Sequence, residues 1–319
     1  MKAERVRLAV LVSGRGSNMA ALLYAAKDDD CPFEIALVAG NKPKAAGFDL
    51  AEAEHIPTAR LDGKDPTFWD QLDQTLERHG ADAIACAGFM RIIPDDFLDR
   101  WKGRIYNIHP SLLPAYKGTD VHQRVLAAGD TVSGASVHHV TSELDAGEVL
   151  GAIEVAVLPD DTPDTLAARV LLAEHQLYPR VLRDHFARFS DAAWIERQIE
   201  ARALSLPETT AKTSHGAPAW RVGPKSSGKF FAILWNRHHG EDHVAVLVKT
   251  SGQDEMAALI DADPDLYFRP AYYGPSDWIG LRVDSPRTDW DHVDHWLRKS
   301  WSICAPARLT KLQRAADAF

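Results

Sequence analysis

In the segment 103–118, GRIYNIHPSLLPAYKG, an asparagine and a histidine sit two apart at the end of an apolar run. Residues i and i+2 of an extended chain point to one face, so Asn107 and His109 project together and can act on one atom. Pro110 and Pro114 each remove a backbone donor and turn the preceding residue away from helix, so the strand is followed by a shaped loop. A later acidic turn, SELDAG at 142–147, carries Asp145 just ahead of a glycine. Brought beside the histidine, that carboxylate favours the protonated imidazole, a donor to a developing oxyanion. The amide of Asn107 is a second donor that does not titrate. Asn107, His109 and Asp145 together describe the electrostatics of acyl transfer. The plain alternative for His109 is a core histidine satisfied by a backbone carbonyl.

No serine or cysteine stands beside a base in the manner of a nucleophile, and Ser111 is an ordinary turn residue. Direct transfer between two bound ligands needs no covalent intermediate. His138 and His139 are neighbours in an extended run and so face opposite ways; a shared metal is not expected, and one of them is free to line the cleft. His238, His239 and His243 lack supporting cysteines and read as a hairpin turn, so no metal is expected there either. A further site is generic in kind. The run SGRGSN at 13–18 ends a strand and opens a helix, aiming free N–H groups and the positive end of a helix dipole at one point, which suits a phosphate. It is neither a dinucleotide fingerprint, since Met19 stands where the third glycine belongs, nor a Walker loop. Its plain alternative is a tight turn capped by Ser17 or Asn18.

The elements that must position these residues follow from pattern. Short apolar runs at 7–12, 34–39, 82–87 and 104–108 alternate with amphipathic segments at 17–27, 45–54, 66–79 and 121–128. This alternation predicts βαβ units, hence an α/β fold with a Rossmann-like, doubly wound and mainly parallel sheet. Longer strands are expected at 133–140 and 148–157, then a helix over 163–186 with Pro163 in its first turn. A charged helix over 192–204 leads to a second part of different character: strands at 219–222, 229–235, 243–249 and 278–283 with helices at 253–262 and 290–303, a smaller α+β domain. The expected domains are 1–190 and 207–319, with 191–206 as a linking helix.

Composition agrees with two folded domains in 319 residues. Residues 1–200 hold 21 Lys and Arg against 31 Asp and Glu, and residues 201–319 hold 15 against 14. Neither balance is a nucleic-acid footprint. Three cysteines without a CxxC pair, no membrane-length apolar stretch and no signal-peptide pattern predict a cytoplasmic protein with free thiols.

Over residues 7–186 the sequence resembles the phosphoribosylglycinamide formyltransferase family. The resemblance lies in SGRGSN at 13–18, AGFMRI at 87–92, NIHPSLLPAYKG at 107–118, SVHHVTSELDAG at 136–147 and AEHQLYP at 173–179. It implies transfer of the formyl group of 10-formyltetrahydrofolate, the cosubstrate, to the amine of glycinamide ribonucleotide in purine biosynthesis, without a metal. By position it implies that Gly16, Ser17 and Asn18 hold the ribose phosphate and that Glu174 reaches the glycinamide end. Met90, Arg91, Ile92 and Ile93 would line the folate pocket with Asn107. Backbone groups of Val140, Thr141, Ser142, Glu143, Leu144 and Asp145 would recognise the pterin. Asn107, His109 and Asp145 fall on the catalytic positions.

One departure concerns the folate tail: where some members carry an arginine, this chain has Asp65 beside Lys64. Residues 206–309 are similar to the YjbR-like double-wing family, through GKFFAIL, DADPDLYF and WIGLRVD. No catalytic constellation is visible there, and its role, binding or regulatory, stays open. Trp235, Tyr272, Tyr273 and Trp278 are able to stack bases or to fill a core. Three other readings compete. A formyltetrahydrofolate hydrolase has no need of a phosphate loop, and a methionyl-tRNA formyltransferase calls for more positive charge. A non-catalytic folate or purine sensor would leave the three polar residues unexplained.

Overall fold

The computed structural model of the chain describes residues 5–224, 227–238 and 242–316, the side chains of 312–316 excepted. His239 lies outside the described residues. Backbone contacts divide the chain into two units, Met1–Ala187 and Arg188–Phe319.

The first unit runs β1 (Val6–Val12), α1 (Ser17–Ala25), β2 (Phe33–Gly40), α2 (Gly47–Ala53), β3 (Thr58–Arg60), α3 (Phe68–Arg78), β4 (Ala83–Cys86) and α4 (Asp95–Arg100). It continues with β5 (Ile105–His109), α5 (Val121–Ala128), β6 (Val132–His139), β7 (Val149–Ala156) and α6 (Pro163–Ala187). Its seven strands lie in the order β3-β2-β1-β4-β5-β6-β7. Strands β1 to β5 are parallel, and β6 and β7 close the sheet as an antiparallel pair. The doubly wound α/β class expected from pattern is what forms, because β1, β2 and β4 are apolar on both faces and must be covered twice. On one face Ala9, Leu11, Leu37 and Ile84 meet Phe68, Leu72 and Leu76 of α3 and Phe97 of α4. Helix α6 lies along β6, β7 and α1.

Helix α6 carries Pro179 in its interior, which removes one helix hydrogen bond. The neighbouring Tyr178 anchors that region: its buried hydroxyl donates to the carbonyls of Cys86 (3.2 Å), the last residue of β4, and Tyr106 (3.0 Å), the second residue of β5. Burial pushes the Cys86 thiol up to about 12, so it is inert as a nucleophile.

The second unit runs α7 (Ala192–Leu204), β8 (Thr209–Ser214), β9 (Ala217–Val222), β10 (Lys229–Asn236), β11 (Val244–Lys249), α8 (Gln253–Ala262), β12 (Tyr267–Phe268), β13 (Trp278–Arg282), α9 (Trp290–Cys304) and α10 (Ala307–Ala316). All pairings in its sheet, ordered β12-β13-β11-β10-β9-β8, are antiparallel, as expected of an α+β unit. Residues 191–206, expected as a linking helix, contribute Ile195, Ile199, Ala203 and Leu206 to the core that holds Trp220, Phe231, Val246 and Trp301.

Five elements were not expected: β3, α4, β8, β12 and α10. Three of them are too short for a period to register: β3 and β12 have three and two residues, α4 six. Strand β8, TTAKTS, is an edge strand of polar and small residues whose shape comes from pairing with β9, not from an apolar face.

Ile199→Ala is expected to weaken the second unit by about 2–5 kcal/mol. Amide exchange in β10 and β11 should then quicken while that in β1 and β4 holds; uniform exchange across the chain would mean that α7 does not belong to that core.

Candidate active site

Asn107 with His109 and the 13–18 turn lie at the carboxyl ends of the parallel strands β5 and β1, where an open α/β sheet leaves its crevice; Asp145 reaches it from the β6–β7 turn and Glu174 from α6. Strand β5 delivers Asn107 and His109 on one face, and its antiparallel register with β6 sets His138 opposite Asn107. The amide Nδ2 of Asn107 donates to His138 Nε2 (3.2 Å), and His138 Nδ1 donates to the carbonyl of His139 (2.8 Å). That pattern needs a neutral imidazole at 138, and burial indeed pushes His138 below its ordinary value, more strongly than Asp145 raises it. The contact from His138 Nε2 to Asp145 Oδ1, at 3.6 Å, is therefore a close approach and not an ion pair.

Asp145 arrives on the turn joining β6 to β7. Its Oδ2 stands 3.4 Å from His109 Nδ1 and accepts a hydrogen bond from the Gly118 amide (2.9 Å). His109 Nε2 donates to the carbonyl of Tyr116 (3.0 Å). Both ring nitrogens of His109 thus face oxygen acceptors, an arrangement that only the imidazolium satisfies in full. The backbone carbonyl considered as the plain alternative is present, and the carboxylate is present with it. The turn is shaped by two backbone features. Asp145 has φ +49°, and a Cβ on Gly147 would lie 1.9 Å from the carbonyl oxygen of His139. Of the two adjacent histidines, His138 joins the cluster, while His139 packs against Tyr106 (4.9 Å between rings) and His185 (5.5 Å). Ser111 Oγ donates to the Ala115 carbonyl (2.6 Å), the behaviour of a turn residue.

Gly16, at φ +75°, caps α1, and Ser17 and Asn18 form its first turn. A Cβ on Gly16 would lie 2.8 Å from the Cα of Gly47, whose amide donates to the Gly14 carbonyl (3.1 Å). Asn18 Nδ2 donates to Glu174 Oε2 (2.6 Å), so two residues from distant parts of the chain form one buried pair. Burial raises the Glu174 carboxyl above its ordinary value, and the Asn18 hydrogen bond only partly opposes this. The other Asn18 amide atom, Oδ1, is buried with no protein partner, an orphan acceptor of the kind a ligand satisfies.

Between the two groups lies the loop after β4. Ser13 Oγ donates to Asn41 Oδ1 (2.6 Å) and accepts from the Met90 amide (2.8 Å), tying this loop to the glycine turn. Met90 and Ile92 are 69% and 84% exposed, and Leu144 is 60% exposed. Ile93 and Val140 instead pack on the core, and the Arg91 guanidinium lies 4.5 Å from the Phe68 ring centre and 5.3 Å from that of Trp69. The backbone of Thr141, Ser142, Glu143 and Leu144 is at the surface, with Lys117 Nζ on Glu143 Oε1 at 3.0 Å. Asp65 accepts from the amide (2.8 Å) and hydroxyl (2.8 Å) of Thr67 and from Gln71 Nε2 (3.0 Å) at the start of α3. Those bonds, the Thr67 amide first, hold its carboxyl below the usual range.

Sequence reasoning missed the partnership of His138 with Asn107 and the role of Ser13. The first was visible only as alternation within the strand and needed the β5–β6 register. The second is a serine among several and carried no signal. Among the described residues no three His, Cys, Asp or Glu side chains gather as metal ligands. No helix of the described residues is long and apolar enough to cross a membrane.

A family profile described as "Formyl transferase" matches residues 6–182, and one described as "YjbR" matches residues 204–303. The phosphoribosylglycinamide formyltransferase of Escherichia coli is 36% identical over 202 residues, covering 60% of this chain and 95% of that protein. The trifunctional purine biosynthetic protein adenosine-3 of Bos taurus is 41% identical over 184 residues, 56% of this chain and 18% of that protein. The chain thus spans about a fifth of the length of the first curated relatives it matches. A crystal structure of the phosphoribosylglycinamide formyltransferase of Brucella melitensis is similar with a TM-score of 0.56 and 43% identity, over 58% of this chain and 97% of that one.

His138, His139 and His122 are all held below the ordinary imidazole value of 6.5, burial being the first cause in each and the neighbouring His109 adding to it at 122. The unfolded chain takes up protons there before the folded one does, so stability should fall as pH drops through and below that value. Glu174, with its raised carboxyl, acts in the opposite direction nearer 4.5. The melting temperature is expected to decline on acidification from about pH 7.5 to about pH 5.5, and less steeply in His139→Phe. Parallel slopes would exclude His139 as a source.

Proposed function

The chain belongs to the formyl transferase family, and on that premise we propose that it transfers the formyl group of 10-formyltetrahydrofolate to the amine of glycinamide ribonucleotide, a step of purine biosynthesis. One arrangement carries the proposal: the Asn107, His109 and Asp145 cluster stands on the same sheet edge as a glycine turn whose Asn18 is hydrogen-bonded to Glu174. The first group suits a carbonyl under attack, and the second suits a ligand with a phosphate at one end and an amine at the other.

The acceptor's phosphate rests on the amides of Gly16, Ser17 and Asn18, at the positive end of α1. Glu174 and the unfilled Asn18 Oδ1 face its glycinamide end. The exposed side chains of Met90, Ile92 and Leu144 suit a flat apolar ring system, and the surface backbone of Val140 to Asp145 suits its polar edge. Arg91 and Ile93 support that wall from beneath, through Phe68 and the core. Asp65 is committed to the start of α3, so the folate tail has no cation from that position.

As the amine bonds to the formyl carbon, negative charge develops on the formyl oxygen. Asn107 Nδ2 meets it with the hydrogen not given to His138. His109 meets it with Nε2–H, exchanging the Tyr116 carbonyl for the formyl oxygen while Asp145 holds Nδ1. Asp145 receives the proton that the amine must lose, directly or through a water; as the carbonyl re-forms, the bond from the formyl carbon to N10 of the folate breaks and that proton passes to N10, releasing tetrahydrofolate. Catalysis is thus a matter of placed donors and one carboxylate. A cytoplasmic setting belongs to the same proposal, with Cys31, Cys86 and Cys304 as buried free thiols. The substrates are small molecules, and no nucleic acid is proposed for the first unit.

Loss of one donor of this kind costs roughly a hundredfold in turnover, and Asn107→Ala should show it with the fold intact. Turnover within about threefold of the unaltered chain would remove Asn107 from the machinery. Glu174→Gln should melt higher at neutral pH, since a buried carboxylate is gone, yet raise KM for the acceptor roughly tenfold. In the same folate assay, formyl release that does not depend on glycinamide ribonucleotide would make the protein a hydrolase instead.

A further inference from the structure

We propose that the second unit has a ligand site of its own, a cleft between the β8–β9 turn and the aromatic residues Trp235, His238, Tyr272 and Tyr273 that takes a planar, uncharged heterocycle of nucleobase size. The cleft encloses about 400 Å³, within the range of small-molecule sites. The rings that line it pack edge to face on one another: Trp235 and Tyr273 at 90° with centres 6.0 Å apart, Trp235 and His238 at 64° and 5.1 Å. Ser214 and His215 bring a hydroxyl and an imidazole to its edge, and no Asp, Glu, Lys or Arg is among the described residues lining it. Flat aromatic walls with a few neutral hydrogen-bonding groups match a heterocycle that stacks and is read along its rim. A cationic guest would call for a carboxylate, and an anionic one for a lysine or arginine.

Packing holds the base of this cluster. Trp235 and Trp278 are buried in a small core with Phe268. Tyr272 is 81% exposed and holds φ +65°. A left-handed backbone is costly for a bulky side chain. The exposed phenol stands at the mouth of the cleft, where it would close over a stacked ring. A free nucleoside is favoured over a strand, because residues 201–319 carry 15 basic against 14 acidic side chains, too even a balance to hold a phosphate backbone.

The test is calorimetric titration of the full chain with adenosine and with guanosine, repeated on Tyr272→Ala and Tyr272→Gly. At least one nucleoside should bind at one site per chain, and both variants should weaken it roughly tenfold or more, the worth of one stacking partner. Tyr272→Gly, relieved of its backbone strain, should also melt higher than the unaltered chain, which separates lost binding from lost folding. Any of three results overturns the proposal: neither nucleoside binds, the Tyr272 variants bind as tightly as the unaltered chain, or a thymidine oligomer binds more tightly than either nucleoside with a steep salt dependence.

Discussion

The carboxylate of Asp145 stands on a backbone that few residue types tolerate, and the chemistry of the first unit depends on its being there. Its Oδ2 has to reach a histidine at the end of β5 from the turn that follows the neighbouring antiparallel strand β6. The turn does this by folding back on itself, with Asp145 at positive φ and Gly147 so close to β6 that any side chain would strike the His139 carbonyl. The Gly118 amide then fixes the oxygen that faces His109. Remove the close return at Gly147 and the carboxylate has no route to the imidazole.

Around that contact the two neighbouring imidazoles have different hydrogen-bonding surroundings. His109 has an acceptor at each nitrogen, whereas His138 has a donor at one and an acceptor at the other. Asn107, by giving one hydrogen to His138, is locked with its second hydrogen still to give. One carboxylate near two histidines would ordinarily invite proton exchange between them. Deep burial of His138 prevents that, because an imidazolium there would lose its water without gaining a full ion pair.

The same edge of the sheet holds the second group by contact between glycines. Gly16 and Gly47 approach more closely than side chains permit, and Ser13 joins the glycine turn to the loop after β4. Rigid strand ends therefore carry the loops, and short hydrogen bonds between loops set their spacing, which suits transfer between two ligands held face to face. In the second unit an aromatic cleft lined by no described Asp, Glu, Lys or Arg carries two residues at positive φ, His215 and Tyr272.

By itself the amino-acid sequence determined the alternation of strands and helices in the first unit, because long apolar runs and amphipathic periods are local properties of the chain. It also determined that Asn107 and His109 share a face, that Gly16 opens a helix, and that a carboxylate follows in a glycine turn. Strands β3 and β12, the short helix α4 and the polar edge strand β8 stayed illegible, since two or six residues carry no period and an edge strand owes its form to its neighbour. Tertiary structure alone decided which atoms meet. The β5–β6 register chose His138 over His139, burial made it neutral, the helix over 192–204 joined a core instead of bridging two, and Asn18 found Glu174 across the chain. These are distances between residues far apart in sequence, which are settled only when the competing demands of packing and hydrogen bonding are met together.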